Sequence, residues 1–325
     1  METDVFAIRT EDDFNRAALD VFRYQVETNS IYRRYVHALN RHTNDIVHYK
    51  QIPCIPIEFF KTADVFCGQT LHEEICFTSS ATTGMVVSKH HVQKLSLYET
   101  SFLKAFELFY SDVRDYCILA LLPGYLERSG SSLVYMAEKL IQLSGQPESG
   151  FFLHDHVGLI HTIQELNKQN RKFILLGVTY ALLDLAENNL QLGNNAIVME
   201  TGGMKGKRRE MVREELHAVL CRGLGVKQIH SEYGMTELLS QGYSSGGGLF
   251  ATPPWMKVLI RDTNDPFTYV DAGRSGGINV IDLANLYSCA FIETKDLGKT
   301  SVSGRFEVLG RFDNSDIRGC NLLVQ

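Results

Sequence analysis

Apolar residues at Phe14, Ala18, Phe22 and Val26 recur every fourth position, which puts them on one face of a helix, and the spacing predicts helix across residues 11–49. Gln51-Ile52-Pro53-Cys54-Ile55-Pro56 interrupts it, because proline ends helices and favours extended chain. Further on, continuous apolar runs alternate with amphipathic ones. Residues 116–122, 172–178, 196–200 and 226–231 read as strands, and 131–143 and 207–220 as helices. This alternation predicts an α/β fold, a mostly parallel sheet with helices on both faces. Ligands of such sheets sit at the carboxyl ends of strands where the chain changes direction, and Thr201-Gly202-Gly203 and Glu232-Tyr233-Gly234 fall there. From about residue 255 the texture changes to short apolar runs, 256–260, 277–281 and 306–309, between Gly/Asp/Ser turns, which reads as antiparallel β. We therefore expect a body over 1–254 and a smaller β-rich C-terminal subdomain over 255–325.

Composition narrows the class without naming a chemistry. The 325 residues are 44% hydrophobic and 22% charged, ordinary for a globular chain with a sizeable core. A net charge of −6 offers no basic excess for nucleic acid, so no nucleic-acid partner is expected. No apolar run approaches the ~20 residues that span a bilayer, and Met1-Glu2-Thr3-Asp4 lacks the layout of a secretory signal. The expectation is a cytoplasmic protein without membrane insertion. The seven cysteines are odd in number and widely spaced, which argues against a disulfide framework or a structural zinc site. His90-His91 has no carboxylate or cysteine at a zinc-like spacing, so no metal is assigned to it.

Candidate chemistry begins at Phe77-Thr78-Ser79-Ser80-Ala81-Thr82-Thr83-Gly84, hydroxyls and small residues after a strand-like start. Hydroxyls and free backbone N–H groups in a tight loop suit a polyphosphate, while a Ser/Thr-rich surface loop explains the same residues. Three later segments change the balance: Ser231-Glu232-Tyr233-Gly234-Met235-Thr236-Glu237, Asp296, and Gly310-Arg311-Phe312-Asp313.

In this order the four segments resemble the adenylate-forming superfamily of acyl-CoA synthetases, adenylation domains and luciferases. More narrowly they resemble the acyl-protein synthetases of bacterial bioluminescence operons, the LuxE family. The likeness covers roughly residues 53–325. It implies the large-domain fold of those enzymes, ATP and Mg²⁺, and a set of roles. Ser79, Ser80, Thr82, Thr83 and Gly84 would hold the β- and γ-phosphates. Ala81 replaces a family glycine, and Val87 stands where a lysine is usual, leaving Lys89 to supply the charge. Tyr233 and Gly234 would sit near adenine, Thr236 at the α-phosphate, and Glu237 on Mg²⁺, for which a carboxylate is a hard oxygen ligand. Thr236-Glu237 before Leu238-Leu239 also reads as a helix cap. Gly202 and Gly203 would contact adenine, and a plain turn accounts for them equally well. The basic run Lys205-Gly206-Lys207-Arg208-Arg209 draws in ATP or is a solvated helix face. Asp296 would accept from the ribose hydroxyls, Arg311 reach ribose or phosphate, and Asp313 mark a hinge.

The sequence ends at Gln325, so the lid domain of the wider superfamily is expected to be absent, as in LuxE-type proteins. The resemblance gives Cys320, beside Arg318, the role of acyl acceptor; a buried cysteine in a last strand is the other reading. The activity implied is activation of a carboxylic acid, fatty by analogy, to an acyl-adenylate. Transfer to a thiol and delivery to a partner acyl reductase or acyl carrier would follow. An acid–thiol ligase and a non-catalytic nucleotide-binding module are the rivals. The segment 53–61, with its Pro-x-x-Pro and Phe-Lys, also matches the family but has no mechanistic account from sequence.

Overall fold

The structure, a computed structural model, describes residues 1–79, 86–122, 130–202 and 211–312. Fourteen strands follow in chain order: β1 (Ile55–Pro56), β2 (Ile75–Thr78), β3 (Lys89–Val92), β4 (Cys117–Leu121), β5 (Gly150–Phe151), β6 (Phe173–Val178), β7 (Ala196–Thr201), β8 (His230–Tyr233), β9 (Gly242–Ser244), β10 (Leu249–Phe250), β11 (Met256–Arg261), β12 (Ser275–Asp282), β13 (Phe291–Thr300) and β14 (Phe306–Arg311).

The first large sheet has the order β5-β4-β6-β7-β8-β9, parallel except for β9 at its edge. Every residue of β4 and β6 is buried, as unbroken apolar runs require when helices cover both faces. The helices Leu95–Tyr110, Ser132–Ser144, His156–Lys168, Thr179–Ala186 and Arg213–Leu224 supply that cover. The sheet's order reverses between β4 and β6, whereas Thr201 and Tyr233 end β7 and β8. Both candidate turns thus lie at carboxyl ends, one and two strands along from the reversal. β8 starts at His230, later than the apolar pattern of 226–231 suggests, because the preceding helix runs on to Leu224 and closes at Gly225 in a left-handed turn.

The second sheet has the order β10-β14-β13-β12-β11 with β1 joined in parallel to β13, so its main ladder is antiparallel as the later sequence predicts. Two early segments complete it. Ile55 and Pro56 pair with Ile292 and Glu293, and Leu249 and Phe250 pair with Glu307 and Phe306. Proline is tolerated in β1 because this two-residue strand is bonded on one side only.

The expected helix over 11–49 is broken. Glu11–Thr28 opens with a capping box in which Thr10 Oγ1 accepts from Asp13 N–H (3.1 Å) and Asp13 accepts from Thr10 N–H (3.1 Å). Phe14, Ala18, Phe22 and Val26 are buried, as their spacing predicts. The chain then resets at Asn29, whose side-chain oxygen accepts from Ile31 and Tyr32 N–H groups (3.0 and 2.9 Å) and starts a second helix, Ser30–Ala38. Only single 3₁₀ turns follow, at Thr43–Asp45 and Tyr49–Gln51.

Buried amides fasten this helical pair to the second sheet. Gln25 donates to the carbonyls of Asn285 and Leu286 (2.9 and 3.0 Å) and accepts from Ala290 N–H (3.0 Å). Asn29 donates to Ser288 O (2.9 Å). Phe22 meets Phe291 edge to face. Each satisfied bond adds about 1 kcal/mol net, and an orphaned buried partner costs about 1–3 kcal/mol. These contacts therefore fix where the 285–290 turn lies. Among the described residues no helix is long and apolar enough to cross a membrane.

Candidate active site

The turn at 234–241 leaves β8 at the junction of the two sheets. The helix-cap reading of Thr236-Glu237 is not met: both residues lie in a turn and no helix opens there. The reason is that this stretch is tied across to the second sheet. Asp282 accepts from Leu239 and Ser240 N–H groups (2.8 Å each), and Asn285 donates to Glu237 O (2.7 Å) while accepting from Leu239 N–H (3.0 Å). From the other side His90 Nδ1–H donates to Thr236 O (2.8 Å). A carbonyl only accepts, so this bond sets the tautomer and leaves Nε2 to accept from Ser288 (2.8 Å). Burial pushes His90 down to about 4, so the ring is neutral near pH 7.

Beside the turn, three predicted residues come together. The Tyr233 hydroxyl donates to Asp296 Oδ2 (2.8 Å), and Arg311 Nε lies 3.3 Å from Asp296 Oδ1. Asp296 and Arg311 are cross-strand partners on β13 and β14. A bulge follows at once: Leu297 pairs with Gly310 but Gly298 with Val308. Glycine is required at 298, where a Cβ would stand 2.4 Å from Glu307 O. Tyr233 itself is held edge-on by Phe250 and Phe306 (6.0 and 5.3 Å between centroids). Burial raises the Tyr233 phenol well above its usual value, so it stays a donor. Burial also raises Asp296, against the downward pull of Tyr233, Arg311 and Arg261.

The family profile described as acyl-protein synthetase, LuxE, matches residues 3–325. The chain belongs to the LuxE family. No curated protein matches it. Among solved structures, 2-hydroxyisobutyryl-CoA ligase in an open conformation, in complex with 2-HIB-AMP and CoA, is similar with a TM-score of 0.67 at 12% identity, over 94% of this chain and 75% of that one. ATP-bound MatB from Rhodopseudomonas palustris is similar with a TM-score of 0.55 at 17% identity, over 73% of this chain and 47% of that one. The LuxE chain thus spans about half the length of the MatB chain it matches. At such identities the likeness establishes the fold, which is the α/β fold of adenylate-forming ligases.

Glu237 is 5% exposed, and burial raises its carboxyl. The Ser88 hydroxyl faces it and pulls the other way without completing a hydrogen bond, as do the charges of Lys61 and Arg311. Lys61 and His90 are the residues that sequence reasoning missed. Both belong to patterns it had seen. Lys61 ends the 53–61 segment, whose β1 is stitched to β13 and whose Phe60 packs edge-on against His90 (5.6 Å). His90 sits opposite Phe77 in the β2–β3 hairpin, on its buried face. Lys89 pairs with Thr78 and is exposed, on the face that also carries His91 and Cys76, and has no described contact with the Tyr233–Asp296–Arg311 cluster.

At the ends of β7 and β8 stand two buried carboxyls in opposed environments. Burial works to raise Glu200, but His217 (3.7 Å), Arg213 (2.7 Å) and Ser231 reverse the sign and hold it ionised. Glu232 accepts from the Thr201 hydroxyl, its one hydrogen-bond partner among the described residues, and burial pushes it up to about 7. Gly202 follows Thr201 in a left-handed turn (φ 64°), its carbonyl accepting from Thr179. Of the remaining sequence candidates, Ser79 is described: its N–H donates to Ser88 O (3.1 Å), and the Ser88 N–H donates to Ser79 Oγ (2.9 Å). Ser80, Thr82, Thr83, Gly84, Gly203, Asp313 and Cys320 lie outside the described residues. Folding brings to His91 carboxylates and a thiol that its sequence spacing did not show. Glu73 and Asp64 face its two nitrogens, and Cys76 lies opposite it.

Proposed function

We propose that this LuxE-family protein activates a carboxylic acid with ATP and passes the acyl group to a thiol. The observation that carries the reading is the contact of Tyr233, Asp296 and Arg311 beside the buried carboxylate of Glu237, at the carboxyl end of a parallel sheet. Asp296 has acceptor capacity for ribose hydroxyls, since each oxygen accepts at two sites and has one partner among the described residues. Arg311 is three-quarters exposed, which leaves its guanidinium free to meet an anion.

Glu237 fits Mg²⁺. It is a buried oxygen donor without a salt bridge among the described residues, and burial raises its carboxyl, so a cation placed there would favour the ionised form. Bound there, Mg²⁺ would neutralise charge developing on the phosphates. Around it the chain's own groups orient: His90 and Asn285 fix the Thr236–Glu237 turn, and Lys61 contributes positive charge nearby. In the first step a carboxylate oxygen attacks the α-phosphorus, the bond to the β-phosphate oxygen breaks, and pyrophosphate leaves with the acyl-adenylate formed. In the second a thiolate attacks the acyl carbon and AMP leaves. We assign that thiol to Cys320, the acid to the fatty class, and the onward acceptor to an acyl reductase or carrier.

Pyrophosphate release with a panel of fatty and aromatic acids tests the first step; no carboxylate-dependent release across the panel rejects it. Labelled acid should remain covalently attached to the wild type and be lost from Cys320→Ala. Label persisting in that variant removes Cys320 from the scheme, and a CoA thioester formed on adding CoA marks an acid–thiol ligase instead.

A further inference from the structure

Four side chains meet on the outer face of the β2–β3 hairpin, away from the Tyr233 cluster. Cys76 and His91 are opposite partners in the ladder, so their Cβ atoms project to the same side about 4.5–5.5 Å apart. Glu73, two residues before β2, contacts His91 Nδ1 with its carboxylate. One ligand atom from each of Glu73, Cys76 and His91 lies within 4.8 Å of the other two. On the far side of the ring Asp64 Oδ1 is 3.0 Å from Nε2.

This is the arrangement of a metal-bound imidazole. A ligating histidine almost always gives its second ring N–H to a carboxylate, which fixes the tautomer and aims the other nitrogen. With Asp64 accepting from Nε2–H, the Nδ1 lone pair points to where Glu73 and Cys76 converge. A protonated ring clamped between two carboxylates explains Asp64 and Glu73 but not the thiol. Sulfur, nitrogen and oxygen from three side chains form a zinc donor set, whereas Mg²⁺ and Ca²⁺ take oxygen. Tetrahedral bonds of about 2.0–2.3 Å set ligand atoms roughly 3.3–3.8 Å from each other, so the direct Glu73–His91 contact has to open to admit the ion while the widest separation in the cluster closes by up to roughly 1 Å. Burial and Glu73 raise the Cys76 thiol above its usual value, against the charge of Lys89, so binding of zinc would have to displace the thiol proton. His91 is buried while Glu73 is one-third exposed, which leaves a way in.

We propose that Glu73, Cys76 and His91 bind one zinc ion, with Asp64 positioning His91, and that the ion pins the hairpin to the chain segment 64–74. The neighbouring His90 faces inward to Thr236, so the ion would brace the strand that holds the candidate active-site turn.

The test is a zinc titration of the full chain, stripped by dialysis against a chelator, in competition with a chromophoric chelator. One equivalent should bind. Cys76→Ser should weaken binding at least about 100-fold, and Asp64→Asn about 10–100-fold. Cobalt in place of zinc should give a thiolate charge-transfer band that Cys76→Ser removes, and circular dichroism checks that both variants are folded. The proposal is overturned if the wild type binds no stoichiometric zinc. It is equally overturned if Cys76→Ser keeps both the affinity and the cobalt band, since the ion then belongs to another thiol. Because the readout is metal and not turnover, its failure is separate from failure of the adenylation reading.

Discussion

His90 and His91 are adjacent in the chain, share one strand and are both buried, yet they face different partners. His90 faces inward, fully buried, with a carbonyl and a hydroxyl as partners and Phe60 at its edge. Its positive charge is excluded by burial. His91 faces outward between Glu73 and Asp64, whose carboxylates contact its two ring nitrogens. The difference shows that residue type proposes a chemistry and the face of the strand decides it. The inner face serves as a mount for Thr236 and Glu237, and the outer face carries the proposed zinc site.

The comparison is most sharply tested at the inner cluster. Glu237→Gln and Asp296→Asn should each lower carboxylate-dependent pyrophosphate release about 10²–10³-fold, the loss typical of one preorganised electrostatic contact. Retained release in both variants detaches the inner face from the chemistry. Next, His90→Ala should cost about 3 kcal/mol in denaturant unfolding, because a packed ring goes and the Thr236 and Ser288 oxygens lose their partner. His91→Ala, read in chelator-treated protein, should cost less; the reverse order breaks the contrast between the faces.

Acidity offers a subtler separation. His90 is depressed to about 4 from 6.5, so the unfolded chain binds more protons and stability rises with pH across that window. Its contribution, up to about 3 kcal/mol, is lost on going down to pH 4. Glu232 is raised to about 7 from 4.5, so the native state binds more protons and stability falls as pH rises from 4.5 to 7. Asp282, raised to about 6 by burial, acts with the same sign as Glu232. The two slopes oppose one another. Glu232→Gln should therefore make urea midpoints climb more steeply between pH 5 and 7 than in the wild type, and His90→Gln should make them fall. Parallel pH profiles in all three proteins refute the assignment. The smallest effect is expected among the lysines. Lys61→Ala should lower pyrophosphate release about tenfold and Lys89→Ala less than about twofold, since of these two lysines it is Lys61 whose charge acts on Glu237. Equal losses put Lys89 back at the phosphates.

Much of the frame was legible from local pattern. Strands β4 and β6 are unbroken apolar runs, β7 opens as one before Glu200 and Thr201, and the antiparallel later sheet is announced by its short runs and turns. Tyr233, Asp296 and Arg311 were legible as motifs, and they do touch. What escaped was carried by partners far away in the chain. Asn29 breaks a helix whose apolar spacing continues because its amide finds Ser288. The 236–237 stretch has a helix-opening sequence but is tied to Asp282, Asn285 and His90. The ligands around His91 come from positions 64, 73 and 76, a spacing that only a hairpin and its lead-in bring together. Sequence spacing reports neighbours on one element; these contacts join different elements.

The pairing of Ile55 with Ile292 has a consequence for biosynthesis. The edge strand and the Gln25–Asn29 amides leave the ribosome about 240 residues before the segment that satisfies them. At roughly 5–20 residues per second that is on the order of 10–50 s of waiting. During that interval a nascent chain displays a sticky helical face and an unpaired ribbon, so shielding by a chaperone, or a pause that delays their emergence, should govern how much protein is recovered in soluble form.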